Sequence, residues 1–270
     1  MGAVEISIAI ISHGHEEFVE RCLASLEKEL SSSGVEVFIV DNLGQCGMDG
    51  LAARYGSQVQ VHRNARQMGF AANCNQAFRM TRGEYVLLLN PDTELVSGHL
   101  SEALAYMDAN QHVGILGARL VNSDGTPQAS CRCFPSVPVF ALRLLGADKW
   151  NHRPAFYRSS LLEGRVFVGP TRVDLVTGAF FLVRRLCFER IGGFDESFFL
   201  YYEDADFCFR ARSKGLETHY FPALTLTHHH QRSSKSFLGP HARWHAHSSL
   251  HYFLKHRYFI RPVFGEVGPR

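Results

Sequence analysis

Apolar positions in the first 120 or so residues fall into short unbroken runs, separated by stretches with helical spacing. Ile6 to Ile11 is interrupted only by Ser7, the pattern of a strand buried on both faces. In the next segment Phe18, Cys22, Leu23, Leu26 and Leu30 recur at helical intervals, and Ser31 to Gly34 ends that helix. VEVFIVDN predicts a second buried strand ending in Asp41, MDGLAARYG a short helix, and QVQVHRN a third strand. GFAANCNQAFRMTRG reads as a helix that stops at Gly83. EYVLLLNPDTEL is a fourth buried strand, LSEALAYMDAN a helix and VGILGARLVN a further strand. This β-α-β-α alternation predicts an α/β protein with a mostly parallel, doubly wound, Rossmann-like sheet flanked by helices.

The second half is less regular. Residues 125–170 are rich in Pro, Gly and Arg without a clear period. VDLVTGAFFLVRR predicts one strand, CFERIGG a short helix closed by glycine, residues 203–214 a helix, and THYFPALTLTHHH a last strand. No internal repeat or low-complexity linker interrupts the chain, so one domain with two lobes is expected.

Composition narrows the classes. The chain has 270 residues, 46% of them hydrophobic, enough for a sizeable core. A formal net charge of +2 gives no bulk field pointing to nucleic acid. The seven cysteines are an odd number with no CxxC pair, which argues against a disulfide framework and for a reducing cytoplasm. The CxC at Cys131 and Cys133 reads as structural. No run approaches 18 apolar residues, so no transmembrane helix is expected, and the N-terminal run reads as a buried strand and not a signal.

In doubly wound sheets the ligand crevice lies beyond the carboxyl ends of the strands. Ser12, Asp41, Asn42 and Asp92 all fall at predicted strand ends. The first strand is followed by SHGHEE, which is no GxGxxG, and no Walker A loop occurs, so the dehydrogenase and P-loop readings lose their weight. Asp41 suits hydrogen bonds from a ribose or base, or a turn. Pro91 forces the chain out of its strand and leaves Asp92 at the sheet's edge, where a hard oxygen ligand suits Mg2+ or Mn2+ held against a diphosphate. In the HHH tract at 228–230, alternation puts His228 and His230 on one face, and one neutral imidazole joining Asp92 on a divalent cation is a consistent reading. A zinc site has no Cys or His pair of the usual spacing.

FFLYYEDADFCFR, from Phe198 to Arg210, embeds three acids in apolar surroundings. On a helix starting at Glu203, Asp206 meets Arg210 four residues on, a structural ion pair. Glu203 and Asp204 meet no cation at i+3 or i+4. First-turn acids favour the helix dipole, but a carboxylate in a partly apolar cleft is also a general base near neutral pH.

These stretches together resemble glycosyltransferases of family 2 with the GT-A fold, especially bacterial rhamnosyltransferase-like members. The resemblance runs through ISIAIISHG, VEVFIVDN, MGFAANCNQAF, GEYVLLLNPDTEL, DGTPQASCRCFPS, VDLVTGAFFLVRR and IGGFDESFFLYYEDADFCFRARSKGLETHYFP, from about residue 5 to 260. It implies inverting, cation-dependent transfer of a sugar from a nucleotide diphosphate to a hydroxyl of a cell-surface glycan or lipid-linked saccharide. The donor it implies is a dTDP- or UDP-sugar, with L-rhamnose from dTDP-rhamnose first. It implies that Asp41 contacts the nucleoside, that Gly69 and Asn75 line the nucleotide pocket, and that Asp92 holds a Mg or Mn ion. It further implies that Asp204 is the base, supported by Glu203, and that His228 completes the metal or diphosphate site. Residues 1–120 then form the nucleotide-sugar-binding lobe, 121–230 the acceptor and catalytic lobe, and 231–270 a basic aromatic tail.

The sequence departs from the family on the donor side. His13-Gly14 stands where Asn is usual, DNLGQC replaces DNxSxD, and Gln67 replaces an Asn. A UDP-hexose transferase and an inactive nucleotide- or glycan-binding homologue are the alternatives. The tail from Arg243 to Arg261 interleaves cations with Trp, Tyr and Phe. It fits either a peripheral contact with the inner face of the cytoplasmic membrane or a helix packed on the domain with a solvated basic face.

Overall fold

A computed structural model describes residues 4–44, 48–229 and 239–257. In chain order its strands are β1 (Ile6–Ser12), β2 (Val35–Asp41), β3 (Val59–Arg63), β4 (Tyr85–Leu89), β5 (Thr93–Ser97), β6 (Val113–Val121), β7 (Cys131–Arg132), β8 (Thr171–Val173), β9 (Leu175–Val176), β10 (Phe180–Arg184) and β11 (Glu217–His228). Its helices are α1 (Glu16–Ser25), α2 (Glu27–Leu30), α3 (Asp49–Tyr55), α4 (Phe70–Met80), α5 (Leu100–Ala109), α6 (Val137–Leu144), α7 (Ala155–Ser160), α8 (Arg185–Ile191), α9 (Glu203–Ser213) and α10 (Pro240–His256).

The main sheet runs β3-β2-β1-β4-β10-β6-β11-β5, with β8 paired to β11. Strands β3, β2, β1 and β4 are mutually parallel, the doubly wound half that the run pattern predicts. Strand β10 is antiparallel to both of its neighbours, β4 and β6, and joins that half to a second one. There β6 and β11 are parallel, while β5 and β8 lie antiparallel on β11.

Both sheet faces are covered, which is why the central strands read as unbroken apolar runs. Ile8, Ile10 and Leu87 pack on one side against Val19, Leu23 and Leu104 of α1 and α5. Ala9, Ile11 and Leu88 pack on the other against Cys74 and Phe78 of α4, Phe207 of α9 and Tyr252 of α10. The six described cysteines are all free and buried.

Local departures from the expected elements have identifiable causes. The first helix divides at Leu26, where Ser25 Oγ donates to Cys22 O at 2.7 Å and accepts Leu95 N–H at 3.0 Å. Such a hydroxyl competes with the helical ladder. VDLVTGAFFLVRR is not one strand: β9 pairs with β7 in a separate small sheet, and β10 enters the main sheet after Gly178. Pro222 sits in β11 where its register with β6 shifts between Phe221 and Thr225, the place a sheet tolerates proline. Thr93 to Leu95, read as the end of the fourth strand, belong instead to the new strand β5 after the Pro91 turn. The tail is helix α10, with Tyr252 and Phe253 buried in the core, so the packed reading holds for its described part.

Candidate active site

The carboxyl ends of β1, β2 and β4 converge as the crevice rule requires. Ser12 and Asp41 are register partners and both fully buried. Ser12 O accepts Asn42 N–H at 2.9 Å, and Ser12 Oγ accepts His15 N–H at 3.3 Å. Asp41 Oδ1 accepts the N–H groups of Leu43 and Gly44 at 3.2 and 3.0 Å, closing the loop that follows β2. Its Oδ2 lies 3.9 Å from Arg63 Nε. One oxygen of Asp41 therefore shapes its own turn.

A chain of asparagines fixes the next loop. Asn42 Oδ1 accepts Met68 N–H and Asn64 Nδ2, each at 2.9 Å, while its Nδ2 donates to Met68 O at 2.9 Å. Asn64 Nδ2 also donates to Asn73 Oδ1 at 2.7 Å, and Asn73 donates to Gly69 O at 3.0 Å. Gly69 precedes α4 and presses against the catalytic segment. A Cβ at that position would lie 2.9 Å from Phe199 Cα and O, and Phe70 N–H donates to Phe199 O at 2.7 Å. Asn75 lies one turn into α4. Its Nδ2 donates to Phe194 O and Glu196 Oε1 at 2.9 and 2.8 Å, and its Oδ1 accepts Phe194 N–H at 2.8 Å. Its amide thus ties α4 to the loop carrying Gly193 and Phe194.

Asp92 and His228 meet because β5 pairs antiparallel with β11, setting His228 opposite Thr93. His228 Nε2 lies 3.4 Å from Asp92 Oδ1, and His229 N–H donates to Asp92 O at 2.9 Å. A carboxylate and an imidazole side by side fit a divalent cation that accepts both oxygen and nitrogen. His229 turns the other way, to Glu94 Oε1 at 2.9 Å. His230 lies outside the described residues.

Glu203 and Asp204 open α9. Two consecutive residues before them, Tyr201 and Tyr202, hold φ of 70° and 67°. Left-handed backbone in a bulky residue costs about 1–2 kcal/mol, and such strain clusters at functional sites. It immediately precedes the two acids, Glu203 buried and Asp204 half-buried. Burial, then the adjacent Asp204 charge, push Glu203 from 4.5 up to about 8, and its Oε2 has no hydrogen-bond partner among the described residues. Burial also raises Asp204, against the pull of the Arg132 charge and of the N–H groups of Ala205 and Gly178. Burial therefore raises both carboxyls above their ordinary values, Glu203 to about 8, with the two acids adjacent in the chain.

Asp206 is structural, as its Arg210 neighbour implied, with Nε at 2.7 Å from Oδ2. Two further partners come from α10, His256 Nε2 at 2.8 Å and Lys255 Nζ at 2.6 Å from Oδ1. Burial alone would raise its pKa, but those hydrogen bonds and Arg210 hold it below the ordinary carboxylate value.

Arg132, Asn64, Asn73, Phe199 and Gln128 were not singled out in the sequence. Their roles depend on contacts between distant segments. The signal available for Gln128 was the NSDG turn before it.

This mixed sheet, parallel on one side and joined through an antiparallel strand to a second half, has the GT-A fold. The fold matches the crystal structure of GalNAc-T7 with UDP, GalNAc and Mn2+, at a TM-score of 0.62 and 16% identity over 84% of this chain and 44% of that one. It also matches the mannosyltransferase PcManGT from Pyrobaculum calidifontis in complex with GDP-Man and Mn2+, at 0.58 and 15% over 97% and 66%. The profile of glycosyl transferase family 2 matches residues 7–192, and the chain belongs to that family. Two relatives that match along nearly the whole chain carry the name rhamnosyltransferase. The Escherichia coli rhamnosyltransferase WbbL is 26% identical over 97% of this chain and 98% of its own. The N-acetylglucosaminyl-diphospho-decaprenol L-rhamnosyltransferase of Mycobacterium tuberculosis is 25% identical over 94% and 85%.

Proposed function

We propose that the protein is an inverting, cation-dependent rhamnosyltransferase, moving L-rhamnose from dTDP-rhamnose to a hydroxyl of a glycan or lipid-linked saccharide. The observation that carries the reading is the separation of two acid centres. Asp92 faces His228 at the edge of the sheet, and Asp204 stands half-buried beside the buried Glu203. Names of relatives support the sugar: two that match along nearly the whole chain are named rhamnosyltransferases, and the name of one includes N-acetylglucosaminyl-diphospho-decaprenol.

In this reading Asp92 and His228 would hold a divalent ion, which would supply positive charge beside the leaving diphosphate. Ser12, Asp41 and Gly69 shape the nucleoside end of the crevice. Asp204, beside the Arg132 charge that favours its ionised form, accepts the proton of the acceptor hydroxyl as its oxygen attacks the anomeric carbon. Glu203, buried next to it, has its pKa raised to about 8. A single base acting on the face opposite the leaving group inverts the anomeric centre. A hydrolase would need two flanking carboxyls around the scissile bond.

Membrane contact belongs to the same reading. The described length of α10 buries Tyr252 and Phe253, so its aromatic face supports the fold. What it offers outward is the stripe Arg243, His247, Leu250, Leu254 and Arg257, with both leucines 60% exposed. Cations with apolar side chains on one exposed stripe suit an anionic lipid surface. Among the described residues no helix is long and apolar enough to cross a membrane.

A thermal-shift panel of dTDP, UDP, GDP and CDP, each with and without Mn2+, tests the donor side, since a ligand of the native state alone raises apparent stability. A Mn2+-dependent rise with dTDP is expected. A rise with UDP alone would replace the donor, and no rise with any of them would favour the inactive homologue.

A further inference from the structure

The turn after β6 reaches His228 through one side chain. Asn122 N–H donates to Thr126 O and Gly125 N–H to Asn122 O, both at 2.8 Å, with Gly125 at φ 81°. Within this closed loop the polar side chains form an ordered series. Thr126 Oγ1 donates to Asp124 Oδ1 at 2.6 Å, and Asn122 Nδ2 donates to Thr126 Oγ1 at 2.8 Å. Asn122 Oδ1 therefore faces the other way and accepts Gln128 Nε2 at 2.8 Å. The same Gln128 Nε2 donates to His228 O at 2.7 Å. With its amide nitrogen committed to two acceptors, Gln128 presents its oxygen to His228 Nδ1, at 2.9 Å.

An amide oxygen only accepts, so His228 Nδ1 carries the hydrogen. The lone pair of the neutral ring is then on Nε2, the atom 3.4 Å from Asp92 Oδ1. We propose that Gln128 is a positioning residue for the cation site: its amide grips His228 at ring and carbonyl, selects the tautomer, and aims Nε2 at the ion shared with Asp92. The turn also braces the neighbouring histidine, with Ser123 Oγ 2.9 Å from His229 Nδ1. A hydrogen bond to the far nitrogen of a ligating histidine orients the ring and strengthens it as a ligand, and its loss costs 10- to 100-fold in metal affinity.

This inference rests on the cation reading of Asp92 and His228. Its test is Mn2+ binding, followed by the electron paramagnetic resonance of the free aqua ion, alone and with dTDP or UDP. The proteins are wild type, Gln128→Leu and Gln128→Glu, each checked for an unchanged melting temperature. Gln128→Leu is expected to weaken Mn2+ binding about tenfold or more while nucleotide affinity without metal stays as in wild type. Gln128→Glu keeps an acceptor for Nδ1 but gives up the N–H donors to Asn122 Oδ1 and His228 O, so it is expected to bind Mn2+ more weakly than wild type and more tightly than Gln128→Leu. Should Gln128→Leu be destabilised, Gln128→Glu is compared with His228→Ala, measured alongside, and an equal loss in the two would overturn tautomer selection. A folded Gln128→Leu that binds Mn2+ like wild type would overturn the inference and leave the cation site standing. Wild type that binds no Mn2+ under any condition would overturn the cation reading and this inference with it.

Discussion

The carboxylate of Asp206 and the imidazole of His256 meet at 2.8 Å, and this contact joins α9, which carries the acid pair, to α10. Asp206 is fully buried and is also held by Arg210 and Lys255. Asp206→Asn is expected to cost about 3 kcal/mol of stability, the lower end for a broken buried pair because Arg210 and Lys255 keep partial access to water. The lowered pKa sets the sign of the pH effect: this stabilisation is present above the ordinary carboxylate value of 3.8 and is lost as pH falls through the lower folded value. Urea unfolding of both proteins at pH 7 and near pH 3 checks it; an unchanged midpoint at pH 7 would exclude the role.

If Asp204 is the base, as proposed, Asp204→Asn removes the proton acceptor while keeping the shape of the site. Transfer is expected to fall by about 10²–10⁴ in kcat, with nucleotide binding preserved. Product formation and a parallel nucleotide titration measure the two separately. Full activity in this variant would remove Asp204 as the base.

Glu203 gives the opposite pH signature to Asp206. Its folded pKa lies above its ordinary value of 4.5, at about 8, so the folded protein keeps a proton that the unfolded chain releases. Stability from this group is whole below about pH 4.5, declines as pH rises, and is gone above about pH 8. Glu203→Gln stays neutral and is expected to flatten that decline. Melting temperatures from pH 5 to 9 should show parallel curves if Glu203 is ionised throughout, which would refute the assignment.

Much of this site could be read in the chain before its fold. Buried runs located β1, β2 and β4, and their ends nominated Ser12, Asp41 and Asp92. The lack of helical partners for Glu203 and Asp204 marked the acid pair, because i+3 and i+4 neighbours are readable from spacing. Strand β5 was not legible: its pairing with β11 depends on a distant segment, and Pro91 hides the restart of a strand. Asn75 was expected at the nucleotide pocket, but nothing local could reveal that its amide spans to Phe194. The tail's aromatic residues fitted a membrane and a core equally well until the partners of α10 were known.

Gly69→Ala tests the seam between the donor loop and the catalytic segment. Its methyl group would meet backbone atoms of Phe199 at 2.9 Å, which cannot swing aside as a side chain could. A loss of about 1–3 kcal/mol is expected, with weaker nucleotide binding in the folded fraction. Unchanged melting and nucleotide affinity would mean the two segments separate at no cost.

For the outward stripe of α10, Leu250→Glu with Leu254→Glu should reduce co-sedimentation with liposomes containing anionic lipid while leaving the fold intact, since both side chains are exposed. Equal co-sedimentation would remove this helix as a membrane contact.

The pairing of β5 with β11 also orders events during synthesis. Asp92 leaves the ribosome more than a hundred residues before His228. At roughly 5–20 residues per second the wait is on the order of ten seconds. Through that interval the parallel half around β1, β2 and β4 can already assemble, because its strands and helices follow one another closely. The corner shared by Asp92 and His228 cannot. A nascent chain therefore carries the asparagine-lined crevice while it still lacks the dyad, and that corner is completed only when nearly the whole described fold exists.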